Sequence, residues 1–189
     1  MPDVDALAPA WQRATQHPFL DAVREGTVDP AVFDAWLAQD ALFVADLLAF
    51  QARLVARAPR PAQAVLAGGV VALVEELAWF DAQAASRSLQ LTAARRPATV
   101  AYAEVLERLD AAPYPVAVTA LWALERVYLL AWQHAAPAAE PFRPYVEHWT
   151  APGFAAYVSA LGGLAEAAGA PADALAEVLA LETAFWEQG

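Results

Sequence analysis

Three carboxylates stand where a core residue belongs. On the first long helical stretch the apolar stripe runs Phe33, Trp36/Leu37, Phe43/Val44 and Leu47/Leu48, and the slot missing from it is Asp40. A later stretch gives Val118, Leu121/Trp122, Tyr128/Leu129 and Trp132, with Glu125 in the central slot. The last gives Leu175, Val178/Leu179 and Phe185/Trp186, interrupted by Glu182. Glu76 is a weaker fourth case, beside the stripe Leu66, Val70, Leu73, Leu77 and Phe80. Burying an unpaired carboxylate costs several kcal/mol or forces its protonation. Taken singly, each acid has a plain alternative, in which an arginine or a helix end satisfies it. Taken together they predict a polar pocket inside a helical core, where neighbouring carboxylates raise one another's pKa and supply both an acid and a base.

Aromatic residues fit the same pocket. Tyr102 lies on the stripe Tyr102, Val105/Leu106, Leu109, while Phe43, Tyr128, Trp149 and Trp186 fall close in sequence or phase to the acids. A flat heteroaromatic ligand would stack among them. Trp79 and Trp132 read as ordinary core packing.

Other chemistries are excluded. A carboxylate-bridged di-iron bundle needs Glu three residues before His, yet Ala14, Ala131 and Tyr145 precede His17, His134 and His148 at that spacing. Gly68-Gly69 lacks the lysine and the preceding strand of a phosphate loop. His17 reads as part of a helix start, and His134 and His148, near helix ends, as structural or solvent-facing. No metal and no cofactor is expected. The chain contains no cysteine, so thiolate chemistry is closed to it.

The elements that carry these residues are punctuated by Pro and Gly, and no strand pattern appears. A short helical segment surrounds Trp11. His17-Pro18 opens a brief helix that ends at Gly26, and Asp29-Pro30 supplies N-cap and N1 for a long helix to about Ala58. Further helices are expected over about 61–89, 97–110 and 115–136, with shorter pieces over 141–148 and 152–168. Gly169-Ala170-Pro171 connects to a last helix over about 172–187. At 189 residues the chain is read as one all-α domain, 1–189, a helical bundle.

Composition narrows the partners. A hydrophobic content of 59% suits closely packed helices, some of it facing another subunit. All 11 cations are arginine. The absence of Lys, Asn and Ile follows the AT-rich codons those residues use. A net charge of −11 without an arginine stripe repels phosphate backbones, so no nucleic-acid partner is expected. The longest unbroken apolar run, Ala64 to Val74, contains two glycines and is shorter than the roughly 20 residues of a membrane span, so no membrane partner is expected. The opening Met1-Pro2-Asp3-Val4-Asp5 lacks a basic flank and an apolar core, which predicts no export signal and a cytoplasmic protein.

The run Gln16-His17-Pro18-Phe19-Leu20, then Gly26-Thr27-Val28, Phe33 and Trp36-Leu37-Ala38-Gln39-Asp40, resembles the opening of the TenA/thiaminase II family. The resemblance continues through Glu76-Leu77-Ala78-Trp79-Phe80, Tyr102, Thr119 to Tyr128, His148-Trp149, Phe154 to Val158 and Leu181 to Trp186, nearly the whole chain. It implies a haem-oxygenase-like helical fold, usually tetrameric, whose pocket binds the hydroxymethylpyrimidine half of thiamin. By resemblance Asp40 matches the ring-binding Asp, Glu182 the late proton-handling Glu, and Tyr102 a tyrosine packed on the ring. The departures are Phe43 and Trp149, where the family's cysteine branch has tyrosines, and about Leu121, where it has its cysteine. The run around Glu125 looks like the second branch, in which a Glu replaces that cysteine and the substrates are amino- or formylamino-pyrimidine breakdown products of thiamin.

The sequence therefore points to a pyrimidine hydrolase, homo-oligomeric as a dimer or tetramer. Glu125 and Glu182 would be catalytic, and Asp40, Phe43, Glu76, Tyr102, Tyr128, Trp149 and Trp186 would bind a small-molecule pyrimidine. The alternatives are a pyrimidine-binding or regulatory protein without turnover and a cofactor-biosynthesis enzyme on the same fold. The scarcity of histidine counts against the latter.

Overall fold

Helix starts are set by residues that satisfy or remove the orphan N–H groups of a first turn. His17 caps α2 (Pro18–Glu25) by accepting the Phe19 N–H at its Nδ1, 3.2 Å away. Asp29 caps α3 (Pro30–Arg57) by accepting the Ala31 N–H at 2.7 Å. Proline occupies N1 or N2 of both, and also of α4 (Arg60–Arg87), α5 (Pro97–Ala111), α6 (Tyr114–Ala135), α7 (Arg143–Trp149) and α8 (Pro152–Ala167). Gly26 ends α2 in the left-handed region at φ 73°. A Cβ there would meet the Cβ of Ala139 at 3.0 Å, so both backbone sign and space call for glycine.

The computed structural model describes residues 4–169 and 173–188, and α1 (Val4–Thr15) and α9 (Asp173–Glu187) complete the bundle. Ala170 and Pro171 of the expected connector, and the expected helix start at Ala172, lie outside the described residues. No strand occurs among the described residues. The segment around Trp11 is a full helix of 12 residues with Pro9 inside it. That proline lies early enough to cost one helical hydrogen bond, and packing of α1 on α6 and α9 holds the rest.

The central helix is α6, which packs against α1, α2, α3, α5, α7, α8 and α9, while α3 touches α4, α5 and α6. Asp40, Glu125 and Glu182 thus lie on helices that meet one another. Beneath them is an aromatic core. Trp36 stacks on Trp186 at 5.5 Å and meets Trp132 edge-on at 5.3 Å. The other long helix, α4, is peripheral. It buries only Ala62, Leu66, Gly69, Phe80 and Ala84, and leaves Val71 and Val74 exposed by 60% and 53%.

Two helices, α4 and α6, reach the length and mean hydropathy of a membrane span, 1.4 and 1.2. Counting only unbroken apolar residues hid this, because a span criterion tolerates small and polar interruptions. In the bundle α6 is a core helix, 67% of its most apolar stretch being buried, and α4 packs one face on α3 and α8.

Candidate active site

A cavity of about 520 Å³ opens between α3, α4, α6, α7, α8 and α9. Six of the nine residues expected at the site line it: Glu125 from α6 and Glu182 from α9, with Phe43, Glu76, Tyr128 and Trp149. No arginine lines it among the described residues.

Asp40, Tyr102 and Trp186 are not on its wall. Tyr128 donates its O–H to Asp40 Oδ2 at 2.9 Å, and Asp40 is fully buried behind it, its Oδ1 unpartnered among the described residues. The expected ring-binding residue is thus held by Tyr128 and is not itself among the residues lining the cavity. The chain reaches the cavity at this point with the tyrosine oxygen, whose proton is committed to Asp40 and whose lone pairs are left to accept. Tyr102 likewise stands one layer back, donating to Glu182 Oε2 and packing on Phe43 at 4.6 Å. Trp186, expected against the ligand, is a core residue instead. Its Nε1 donates to the Ala14 carbonyl at 2.8 Å and its ring stacks on Phe19 and Trp36. Helical phase brought it near Glu182, but the residue four positions on points to α1 rather than to the cavity.

The carboxyls are charged only reluctantly. Burial, reinforced by negative Glu76 and Glu182, pushes Glu125 up to about 8. Burial pushes Glu182 up to about 7, against the pull of the Tyr102 hydrogen bond. Asp40 is raised well above the carboxylate range by burial, opposed by the Tyr128 hydrogen bond and reinforced by Glu76 and Glu182. Asp40 and Glu125 are thus both raised by the charge of Glu182, as expected of acids that share a site.

Glu76 is engaged at both oxygens. Trp149 Nε1 donates to Oε1 at 2.9 Å, and His148 Nε2 lies 2.7 Å from Oε2. His148 lines the cavity, its ring flat on Trp79 at 4.1 Å and 5°. Its place near a helix end suggests a structural or solvent-facing histidine, and α7, with seven residues, shows no stripe that would mark it as a cavity residue. Sequence reasoning also missed the α8 wall, Phe154 and Tyr157, and the close approach at Gly69. A Cβ on Gly69 would sit 2.1 Å from Gln51 Nε2 and 2.2 Å from the Tyr157 hydroxyl. Gln51 carried a usable signal, standing four residues after Leu47 and three before Leu54 on the buried stripe of α3.

The arrangement can supply proton donation and acceptance from two helices to one cavity, with aromatic walls and no thiolate. The described residues hold no cluster of ligating side chains suited to a metal ion.

Comparison with known proteins follows the same lines. Residues 4–188 match the TENA/THI-4/PQQC family. A "probable bifunctional TENA-E protein" of Glycine max is 35% identical over 132 residues, covering 66% of this chain and 58% of that relative's length. The structure superposes on a TenA homologue from Pyrococcus furiosus with a TM-score of 0.92 at 23% identity, covering 98% of this chain and 96% of the other. A protein described as a TenA family transcription regulator, from Silicibacter sp. TM1040, matches with a TM-score of 0.87 at 18% identity, covering 97% and 92%. These likenesses establish the all-α, haem-oxygenase-like fold. With the family match running over nearly all its length, this cysteine-free chain belongs to the TENA/THI-4/PQQC family.

Proposed function

We propose that the chain hydrolyses a C–N bond of an aminomethyl- or formylaminomethyl-pyrimidine, a breakdown product of thiamin, carrying it toward hydroxymethylpyrimidine: the formylamino group loses formic acid, and the aminomethyl group loses ammonia. The observation that carries this reading is the pair Glu125 and Glu182. They come from different helices, share one aromatic cavity, and are held by burial at about 8 and about 7, where each exchanges protons near neutrality.

The ring lies among Phe43, Tyr128 and Trp149, and the Tyr128 oxygen, oriented by Asp40, accepts a hydrogen bond from the ring's amino group. Tyr102 donates to Glu182 and favours its ionised form, so Glu182 is the carboxylate that takes a proton from water. Glu125 has no side-chain donor among the described residues and is raised by burial, so it is the acid that protonates the leaving nitrogen. Water forms the new C–O bond as the C–N bond breaks, and the proton lost by water is returned through the pair. No step uses a thiolate.

The test is turnover by the purified chain. Ammonia and hydroxymethylpyrimidine should appear from the aminomethyl substrate, while thiamin itself is cleaved negligibly. Rapid thiamin cleavage, or tight pyrimidine binding without turnover, would defeat the reading, and the second result would favour a binder or regulator. The protein acts as a homo-oligomer in this reading, with a second copy covering Val71 and Val74 on α4. Light scattering that finds only a monomer at micromolar concentration would remove that part.

A further inference from the structure

The Tyr157 hydroxyl on the cavity wall is held by a buried amide that ties three helices together, and it has no use in the chemistry above. Gln51, fully buried on α3, presents its Nε2 to the Leu66 carbonyl of α4 and to the Tyr157 hydroxyl of α8, each at 2.8 Å. A carbonyl can only accept, so the Leu66 contact fixes the amide with its NH2 group on that side. The Tyr157 oxygen is then the acceptor of the second amide proton, and the phenol's own proton must go elsewhere. No acceptor for it exists among the described residues, and Tyr157 lines the cavity. Gly69 makes the arrangement possible, since any side chain there would occupy the space of both groups. The cavity wall also carries the apolar side chains Val44, Leu47, Leu73, Leu124 and Phe154, and Glu125 is the carboxyl whose charge reaches the hydroxyl.

We infer that Tyr157 is an oxyanion donor, whose hydroxyl binds the carbonyl oxygen of a formylamino substrate and stabilises the negative charge that develops there during deformylation. The inference rests on the function proposed above and assigns one of its two substrates its own residue. Water attacks the formyl carbon, forming a C–O bond while the carbonyl π pair moves onto oxygen, where Tyr157 meets it. Glu182 takes the proton from water. The intermediate collapses with the carbonyl re-formed and the C–N bond broken, the nitrogen taking its proton from Glu125. Formic acid and the aminomethylpyrimidine result, and a proton relayed from Glu182 back to Glu125 through water resets the pair. Burial, the nearby Glu125 charge and the opposing Gln51 hydrogen bond together leave the phenol well above its ordinary range, so it donates without ionising. The aminomethyl substrate has no carbonyl and makes no use of this donor.

The experiment compares kcat of the parent chain and of Tyr157→Phe on both pyrimidines, with a thermal melt of each protein. Loss of one oxyanion donor should lower deformylation about 100-fold or more while deamination stays within about threefold. If the Phe variant does not accumulate folded, Gln51→Leu keeps the hydroxyl but frees its orientation, and should lower deformylation selectively by about tenfold. An equal fall on both substrates, or no fall on the formylamino one, overturns the assignment. A parent chain that deaminates but never deformylates overturns it while leaving the proposed function standing. A parent chain that does neither removes both.

Discussion

Replacing Glu182 by Gln tests the proton chemistry with little disturbance of the site. The carboxylate accepts from Tyr102 at Oε2 and leaves Oε1 unpartnered among the described residues. A glutamine placed with its carbonyl toward Tyr102 preserves that hydrogen bond and turns its NH2 to the free side. Only the titratable proton is lost. General base catalysis is worth about 100-fold or more, so kcat should fall by at least that factor, about 2.7 kcal/mol in the barrier. The pH profile adds a second readout. With Glu182 at about 7 required as base and Glu125 at about 8 required as acid, kcat in the parent rises as pH approaches 7 and falls above 8. The acidic limb fails because Glu182 is protonated, the alkaline limb because Glu125 is ionised. Glu182→Gln should erase the acidic limb and Glu125→Gln the alkaline one, each with binding better preserved than turnover. Steady-state kinetics from pH 5 to 10 on both variants, alongside thermal melts, decides the matter. Near-parental kcat with both limbs intact would refute the reasoning, and a changed melt with unchanged kcat would mark the acids as structural.

Asp40→Asn and Tyr128→Phe should each raise KM for the pyrimidine more than they lower kcat, and a double-mutant cycle should show a coupling of about 1 kcal/mol or more, because one acts through the other; additive effects would separate them. Stability should fall as pH rises. Glu125 and Glu182 bind protons more tightly in the native state, so their contribution is full below about 4.5 and is lost through about 7 and about 8, on the order of a few kcal/mol. Chemical denaturation at pH 5.5 and 9 checks this, and Glu125→Gln should flatten the dependence. Gly69→Ala should lower the melting temperature by several degrees, since the new Cβ collides with Gln51, which is tied to Leu66; an unchanged melt would show that α4 can slide away freely.

Helix order was legible because Pro and Gly mark nearly every boundary, as the Asp29-Pro30 start and the Gly26 stop illustrate. The buried acids were legible for a related reason, since a single polar residue in a 3.6-residue stripe stands out against its neighbours. Depth was not. Periodicity says which face a residue occupies but not whether the next side chain seals it, and Asp40 and Tyr102, which the family resemblance places at the ring, are hydrogen-bonded to Tyr128 and Glu182 and do not line the cavity. Trp186 shows the same limit, since its face meets α1 as well as the site. His148 and Tyr157 escaped because they belong to a helix of seven residues and to an Ala- and Gly-rich helix, whose patterns carry little contrast. The Gln51–Tyr157 contact joins residues 106 apart in sequence, and nothing local announces it.

In the proposed reaction two carboxylates let water replace the amine on the pyrimidine's methylene carbon. The most direct test is turnover of the aminomethyl substrate in water enriched in oxygen-18, with mass spectrometry of the pyrimidine product. Each hydroxymethylpyrimidine formed should carry one heavy oxygen, with one ammonia released per turnover, both signals vanishing together in a Glu125→Gln/Glu182→Gln chain. Product without heavy oxygen, or labelled product formed equally fast by the double variant, would contradict it.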